Sequence, residues 1–348
     1  MKKKHIFGEI VTLTPDCLLI VGRETNPLFK TPSCSVLLYK HKNILYIFDT
    51  GATSFIKDKI FIASNLLRPF NQIILYSTQA HADHIANNSI LDIIQAPKKT
   101  YYISSYELSQ LQKPEKRIAQ DIRDASFFID MEELPNTLLR TFFENIDPFE
   151  PLAHKAEALD ETKKQRFTLG SVLVTGWKSK SSPIIIIESA GYTNGSLMFY
   201  IEPLKLLFTG DETASFFPLW QSSNTHTTIT LLHNIQKLVE ERFVDILIGS
   251  HNEQIYKNSA QALDFIEELL LLYARFDEYI RKNLIGHKRE GGATIEQLYL
   301  SLLASPFSAH IPSWELYSKM LILNKLRSLG CHYDPAEGVA ARFILPKD

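Results

Sequence analysis

The stretch STQAHADH, residues 77–84, decides how this chain is interpreted. It directly follows residues 73–76, an apolar run with the length and composition of a buried strand. Two imidazoles, His81 and His84, and the carboxylate of Asp83 are therefore expected together on the loop after a strand, where they offer the donor atoms that a divalent transition metal requires. Taken alone, the stretch also fits a polar helix N-terminus in which Asp83 caps the helix.

Four further short motifs accompany this stretch along the chain. They are DTG at residues 49–51, GYTNGS at 191–196, FTGD at 208–211 and IGSH at 248–251. We expect Asp49 to accept hydrogen bonds that order the loop at residues 77–84, which we call the metal loop, and not to bind the metal itself. Each motif is weak alone, whereas the five in this order and at these spacings form a specific combination.

The series of motifs resembles that of the metallo-β-lactamase superfamily over roughly residues 10–252. The resemblance implies an α+β chain folded as a metallo-β-lactamase-type αββα sandwich, in which two packed sheets are covered by helices. The helical tail is similar, less specifically, to the carboxy-terminal extension of the β-lactamase-like and glyoxalase-related branch. It therefore implies a metal-dependent protein with an appended helical unit.

The chain departs from the family pattern at two ligand positions. Gln79 replaces the first histidine of the family's H-x-H-x-D-H motif, and Tyr192 replaces the histidine of its G-H-T-x-G-S segment. Carried over to this sequence, the first metal site of the family would consist of Gln79, His81 and Tyr192. The second would consist of Asp83, His84 and His251, with Asp211 bridging the two sites.

Both replacements fall in the first site, and coordination chemistry indicates their effect. A neutral amide oxygen is a poor donor for zinc, and a phenol ligates well only after losing a proton near pH 10. The second site keeps two imidazoles and two carboxylates, which are enough to surround one ion. We therefore predict one ion per chain, zinc first and iron as the alternative, with His81 as an additional candidate ligand or a proton carrier.

Three side chains are candidates for direct roles in a reaction: Asp83, His81 and Tyr192. Asp83 or His81 would handle the proton of an attacking water. For Tyr192 three interpretations stay open: it fills the space left by the missing histidine, donates a hydrogen bond to a developing oxyanion, or ligates a ferric ion.

These residues leave three functions open. The first is hydrolysis of an ester, thioester, lactone or amide by a metal-activated water. The second is an iron-dependent oxygenase or oxidoreductase on the same fold, since a carboxylate-rich site suits iron. The third is a non-catalytic binding protein with a degraded site. Four protein ligands on one zinc would leave little room for water, so in the hydrolase Asp211 must stand back or the ion must take five ligands.

Strand and helix patterns divide the chain into two parts. Residues 1–255 are predicted to form the metallo-β-lactamase-like domain, with a hairpin turn at 41–43 and a helical insertion at about 104–164. Residues 256–348 are predicted to form a winged-helix-like extension of three helices and a terminal strand at 340–345. Thr294, with Gln297 three residues later, has the pattern of a capping box.

Composition limits the other possibilities. With 348 residues and 45% hydrophobic content the chain can bury a large core, and its net charge of −2 without single-sign runs predicts neither a nucleic-acid nor a membrane partner. Three separated cysteines and the lack of an apolar run of signal-peptide length indicate a cytoplasmic protein.

A small-molecule substrate is expected, and a homodimer through the insertion or the tail is compatible with the sequence. The aromatic residues that hint at an apolar or aromatic substrate are Phe127, Phe128, Phe142, Phe143, Phe149, Tyr192 and Trp220, although such residues more often belong to a core.

Overall fold

The computed structural model describes residues 5–23, 32–129, 149–214, 220, 222–251, 255–311 and 315–346. Phe142 and Phe143, two aromatic residues of the predicted insertion, lie outside the described residues. Within the part that is described, no helix combines the length and the apolar character needed to cross a membrane.

The first of two sheets has seven strands in chain order. They are β1 (Ile10–Thr14), β2 (Cys17–Ile20), β3 (Val36–His41), β4 (Ile44–Phe48), β5 (Gln72–Tyr76), β6 (Lys98–Ile103) and β7 (Ala156–Ala158). Strands β1 to β4 pair antiparallel, and β4 to β7 pair parallel. The predicted hairpin joins β3 to β4, with Lys42 at a φ of 56° in the turn.

The second sheet has six strands in the order β13-β12-β11-β10-β9-β8. They are β8 (Gln165–Leu169), β9 (Val172–Trp177), β10 (Ile184–Glu188), β11 (Leu197–Ile201), β12 (Leu206–Phe208) and β13 (Ile246–Ile248). All pairs are antiparallel except β12 with β13, which is parallel. The chain therefore leaves β12 and β13 at the same edge of the molecule.

Helices cover the outer faces of both sheets. They are α1 (Ser54–Leu66), α2 (Ala82–Ile85), α3 (Ile90–Ile93), α4 (Ser105–Leu111), α5 (Pro114–Ser126), α6 (Thr225–Glu240), α7 (Ser259–Gly286), α8 (Ile295–Leu303) and α9 (Glu315–Ser328). In α1, Ile56, Ile60 and Ala63 are four and three residues apart, which places all three on the face that is buried against the first sheet.

Alternating side chains of the strands fill separate cores on the two faces of each sheet. In β10, Ile184 and Ile186 point between the sheets, whereas Ile185 and Ile187 point toward the outer helices. Between the sheets, the rings of Phe48 and Phe199 lie 4.8 Å apart. Since both faces are buried, the strands are continuously apolar. The α+β class and the sandwich of two sheets between helices are thus confirmed.

The carboxy-terminal helices share one core with the second sheet. Buried residues of α6, α7, α8 and α9 belong to the same hydrophobic cluster as β10 and β11. Thr294 and Gln297 form the expected capping box at the start of α8. Division of the chain at residue 255 into two units stays a prediction, because this continuous core joins them.

Two expectations about local structure are wrong. The strand expected at 340–345 is reduced to two isolated bridges, Phe343 with Ala293 and Ile344 with His332, because a 3-10 helix over Pro335–Ala340 occupies the preceding chain. The insertion expected at 104–164 is also not wholly helical, because β7 lies within it and pairs with β6. The sequence of β7, Ala-Glu-Ala, carries no apolar pattern that would indicate a strand.

Candidate metal centre

The predicted metal residues follow strands of both sheets at one edge of the sandwich. Asp49 directly follows β4, and the loop at residues 77–84 follows β5, which pairs parallel with β4. Asp211 and His251 follow β12 and β13, which also pair parallel. Carboxyl ends of parallel neighbours meet at the same edge, so the topology brings these loops together.

Four of the predicted side chains converge on one point. Nε2 of His84 lies 3.3 Å from Oδ2 of Asp211 and 3.8 Å from Oδ2 of Asp83. Nε2 of His251 lies 3.3 Å from Oδ1 of Asp211 and 3.2 Å from Oδ2 of Asp83. We call these four residues the charged cluster. It consists of Asp83, His84, Asp211 and His251.

Hydrogen bonds at the far nitrogen fix both imidazoles of the charged cluster. Nδ1 of His251 is 3.1 Å from the carbonyl oxygen of Arg23, which can only accept, so Nδ1 carries the proton. Nδ1 of His84 is 2.9 Å from Oδ2 of Asp49 and donates to that carboxylate. In both rings Nε2 therefore faces the cluster and is the nitrogen left to bind a metal ion.

The expected role of Asp49 matches its contacts. The carboxylate is fully buried and accepts hydrogen bonds from the backbone nitrogen of Thr78 at 2.7 Å and from its hydroxyl at 2.8 Å. Together with the bond from His84, these contacts tie the metal loop to the end of β4. Asp49 therefore orients the imidazole of His84.

The spacing of the charged cluster fits one ion. Ligand atoms of Asp83, His84 and His251 all lie within 4.8 Å of one another. Tetrahedral bonds of about 2.1 Å require donor atoms that are about 3.4 Å apart, which is close to the separations given above. Asp211 approaches the two imidazoles with different oxygens, so it lies beside this group of three. Two imidazoles and a carboxylate form a ligand set known from catalytic zinc sites.

Charges inside the cluster perturb one another strongly. Burial opposes ionisation of Asp211, yet the neighbouring His84 and His251 hold its pKa well below the usual range. Burial also disfavours the cation of His84, but Asp211, ahead of its other neighbours, raises the pKa of His84 well above the usual value. The cluster therefore has excess negative charge around His84, and a cation there is favoured.

A second group of metal-capable atoms overlaps the first. Cys34, Asp49 and His84 offer atoms within 4.8 Å of one another. Both oxygens of Asp49 already accept hydrogen bonds from Thr78, however, and burial raises the pKa of the Cys34 thiol to about 11. Because a protonated thiol is a poor ligand, this group supports the cluster and is unsuited to an ion of its own.

Gln79 makes direct contact with the charged cluster. Its side-chain nitrogen lies 2.5 Å from Oδ2 of Asp211 and 3.0 Å from Nε2 of His84. The amide thus donates to the cluster where the family's first histidine would offer a lone pair. It neutralises no charge, so it does not replace a metal ion.

His81 and Tyr192 lie together in an aromatic environment. The ring of His81 is 5.7 Å from the ring of Tyr192, edge to face, and 5.1 Å from the ring of Trp220. Neither of the metal-capable groups found among the described residues includes His81. Its assignments as a ligand and as a proton carrier therefore both stay predictions.

Two buried acidic side chains that sequence reasoning missed hold the Tyr192 loop. The first, Glu212, accepts hydrogen bonds from the backbone nitrogens of Gly191 at 3.0 Å and of Tyr192 at 3.1 Å. Burial raises the pKa of Glu212 to about 7. A Cβ at Gly191 would lie 2.3 Å from Oε2 of Glu212, so only glycine allows this approach. Ser223 donates to the Tyr192 carbonyl at 2.7 Å.

The second, Glu107 on α4, joins the Tyr192 loop to the metal loop. Its fully buried carboxylate accepts from the backbone nitrogen of Ala80 at 2.8 Å and from the hydroxyl of Thr193 at 2.6 Å. The only sequence signal is its place three residues after Ser104, which caps α4. That signal predicts a helix start and not a contact with the metal loop.

Comparisons with known proteins agree with this architecture. No protein-family model matches the sequence, and a search of curated proteins finds no match. A metallo-beta-lactamase family protein from Thermus thermophilus superposes with a TM-score of 0.63 and 16% identity, covering 96% of this chain and 100% of that one. A beta-lactamase domain protein from Burkholderia ambifaria gives a TM-score of 0.64 and 14% identity, covering 99% and 95%.

A third similar structure is a stereoselective inverting sec-alkylsulfatase from a Pseudomonas species. It has a TM-score of 0.55 and 12% identity, and the match covers 93% of this chain but 50% of that one. These likenesses show that the chain has the fold of the metallo-β-lactamase superfamily, as its motifs predicted.

Proposed function

We propose that this metallo-β-lactamase-fold chain is a hydrolase that uses one divalent metal ion, zinc in the first instance. Asp83, His84 and His251 would hold the ion, with Asp211 beside them. The observation that carries the proposal is the pair of Nε2 atoms that face two carboxylates at 3.2 to 3.8 Å. The likeness to an alkylsulfatase and to beta-lactamase domain proteins supports hydrolysis as the reaction type.

When bound, the ion supplies Lewis-acid polarisation of the substrate and lowers the pKa of a coordinated water. Asp83 is the accessible member of the cluster, since its side chain is 16% exposed and that of His251 is 6% exposed. His84 and His251 lower the pKa of Asp83 although its burial opposes this, so it stays ionised and orients the attacking water through an oxygen. His81, two residues before Asp83, then carries the proton away.

Tyr192 is suited to stabilise negative charge on the substrate. Its backbone is fixed on one side by Glu212 and on the other by Ser223. A phenol held in this way donates a hydrogen bond to a developing oxyanion without reorganising during the reaction. The alternative that Tyr192 only fills space predicts no loss of rate when its hydroxyl is removed.

An iron-dependent oxygenase is the second candidate. Asp83, His84 and His251 are two histidines and one carboxylate, which is also the ligand set of many non-haem iron oxygenases. The substrate pocket and the roles of the protein side chains would be shared by the two reactions. Only the metal and its chemistry would differ.

The test loads the metal-stripped chain with Zn²⁺ or Fe²⁺ and measures ester hydrolysis and O2 consumption in parallel. The hydrolase proposal predicts turnover of a panel of carboxylic and sulfate esters with Zn²⁺, and no O2 consumption with either ion. His251→Ala should lower kcat/KM by at least about 10²-fold, because a ligand is lost.

His226→Ala is the matched control, because His226 is an exposed residue on α6 whose backbone carbonyl accepts a hydrogen bond from Thr230. The variant should retain full activity, since this bond does not involve the imidazole. Oxygen consumption with Fe²⁺ and none of the hydrolysis would instead favour the oxygenase. Equal activity in the two variants would refute the assignment of the cluster as the reaction centre.

A further inference from the structure

Helix α9 of the carboxy-terminal extension reaches the metal centre. Its residue Tyr317 packs edge to face against Trp220, with ring centroids 6.0 Å apart. Trp220 in turn contacts His81, whose ring contacts Tyr192. Four rings from four separate segments of the chain therefore form one continuous row. We call them the aromatic wall: Tyr192, His81, Trp220 and Tyr317.

His81 connects the aromatic wall to the loop of the charged cluster. His81 is two residues before Asp83 in the metal loop, and burial together with the Asp83 charge raises the pKa of Tyr317. His81 therefore joins the wall to the loop that carries the most exposed carboxylate of the cluster, and Tyr317 is linked to His81 through Trp220. His81, Tyr192 and Tyr317 are only partly buried, whereas Trp220 is 8% exposed and contacts both His81 and Tyr317.

We infer that helix α9 completes the substrate pocket, that Tyr317 is a specificity-determining residue, and that the pocket takes the aryl group of an uncharged ester. The assignment of the substrate as an ester rests on the proposed function, whereas the recognition of an aryl group does not. Rings packed edge to face offer a neighbouring aromatic ring the same geometry that they offer one another. A saturated ring of equal size buries similar area and gains none of this edge-to-face attraction.

Phenol hydroxyls at the two ends of the wall add polar contacts. Tyr192 and Tyr317 can each donate to an ester oxygen or accept from a substrate hydroxyl. Apolar faces with a few placed polar groups are the usual composition of small-molecule sites. The extension would then select the substrate, while the loops of the main domain would carry out the chemistry.

The experiment measures equilibrium binding of 2-naphthol and of its saturated analogue decahydro-2-naphthol to the full chain by calorimetry. It is done both with Zn²⁺ and after chelation, so that binding is read without turnover. Wild type should prefer 2-naphthol by about tenfold, since aromatic pairs add about 0.5–1.5 kcal/mol each beyond the area they bury. Tyr317→Leu should reduce that preference about fivefold, and Tyr317→Phe should keep it.

Tyr299→Leu is the matched control, because Tyr299 is a partly buried tyrosine of α8 that packs on the same core and lies by Lys319. It should keep the wild-type preference, and thermal melting of all variants checks that each folds. Equal binding of the two probes by wild type, or an unchanged preference in Tyr317→Leu, would overturn the inference. Selective binding without ester hydrolysis would support the wall and refute the hydrolase.

Discussion

The charged cluster differs from the neighbouring residues Gln79, His81 and Tyr192 in what holds each side chain. In the cluster, His84 and His251 each donate through Nδ1 to a fixed acceptor, so Nε2 of each ring faces inward. In the other half, Gln79 donates its amide to the cluster and His81 contacts aromatic rings. The loop at residues 77–84 supplies side chains to both halves. We therefore expect metal affinity here to depend on the partners of the proposed ligands as much as on the ligands themselves.

The largest expected effect comes from removing His84, one of the two imidazoles whose Nε2 faces the cluster. His84→Ala should weaken Zn²⁺ binding by about 10³-fold or more, because one of the three proposed ligands is lost. His81→Ala, in the same loop but in the other half, should change the affinity by less than about threefold. Competition with a chromophoric chelator measures both. Similar losses in the two variants would remove the distinction between the halves.

The next effect concerns the anchor of the Tyr192 loop. The pKa of Glu212 is raised from 4.5 to about 7 by burial, so the folded chain loses stability as pH rises through this interval. Glu212→Gln cannot titrate and should lack this loss, a difference of about 3 kcal/mol between pH 4 and pH 8 at 1.36 kcal/mol per pKa unit. Urea midpoints of the chelated proteins measure it.

Parallel pH profiles for wild type and Glu212→Gln would mean that the carboxylate is not held in its buried position. A conservative control is Glu241→Gln. The carboxylate of Glu241 is exposed and accepts a hydrogen bond from the backbone nitrogen of Ser171 at 2.8 Å. The hydrogen bonds from Ser171 lower the pKa of Glu241, so this carboxylate stabilises the folded chain as pH rises. The stability difference between Glu241→Gln and wild type should therefore change with pH in the direction opposite to that of Glu212→Gln.

A third effect tests the phenol. Tyr192→Phe should lower kcat about 10²-fold with little change in metal content, because the oxyanion donor is lost while the ring contacts stay. Tyr317→Phe is its counterpart at the other end of the aromatic wall and should alter KM more than kcat. Unchanged kcat in Tyr192→Phe would mean that Tyr192 only fills the space of the missing histidine.

The smallest of these effects concerns the support of His84. Asp49→Asn keeps the shape of the side chain but weakens its hold on Nδ1 of His84, and should lower Zn²⁺ affinity about 10- to 100-fold. Exposed Asp16, which forms an ion pair with Lys40, gives the control variant Asp16→Asn. An affinity unchanged by Asp49→Asn would show that the anchoring argument is wrong.

The sequence predicted the sandwich, and it also predicted that the four residues of the charged cluster would lie together, as they do. It could do so because each residue closely follows an apolar strand, and parallel neighbours such as β4 with β5 end at the same edge. The short motif around His84 and the family pattern of its neighbours were sufficient for that step.

What the sequence could not predict depends on contacts between distant segments. Glu107 stands in an ordinary helix start, yet it accepts a hydrogen bond from Ala80 of the metal loop. Tyr317 lies more than two hundred residues after Asp83, yet its ring contacts Trp220. β7 was missed because Ala156–Ala158 carries no apolar alternation and is defined only by pairing with β6. Such features follow from tertiary packing, which no local pattern contains.

We propose that the charged cluster holds a single ion and that Gln79, His81 and Tyr192 hold none. Elemental analysis of the purified chain beside a Gln79→His, Tyr192→His double variant tests this most directly. The account predicts about one equivalent of metal in the wild type and about two in the double variant, since two imidazoles would restore the second set of donors. Two equivalents in the wild type, or none in either protein, would contradict it.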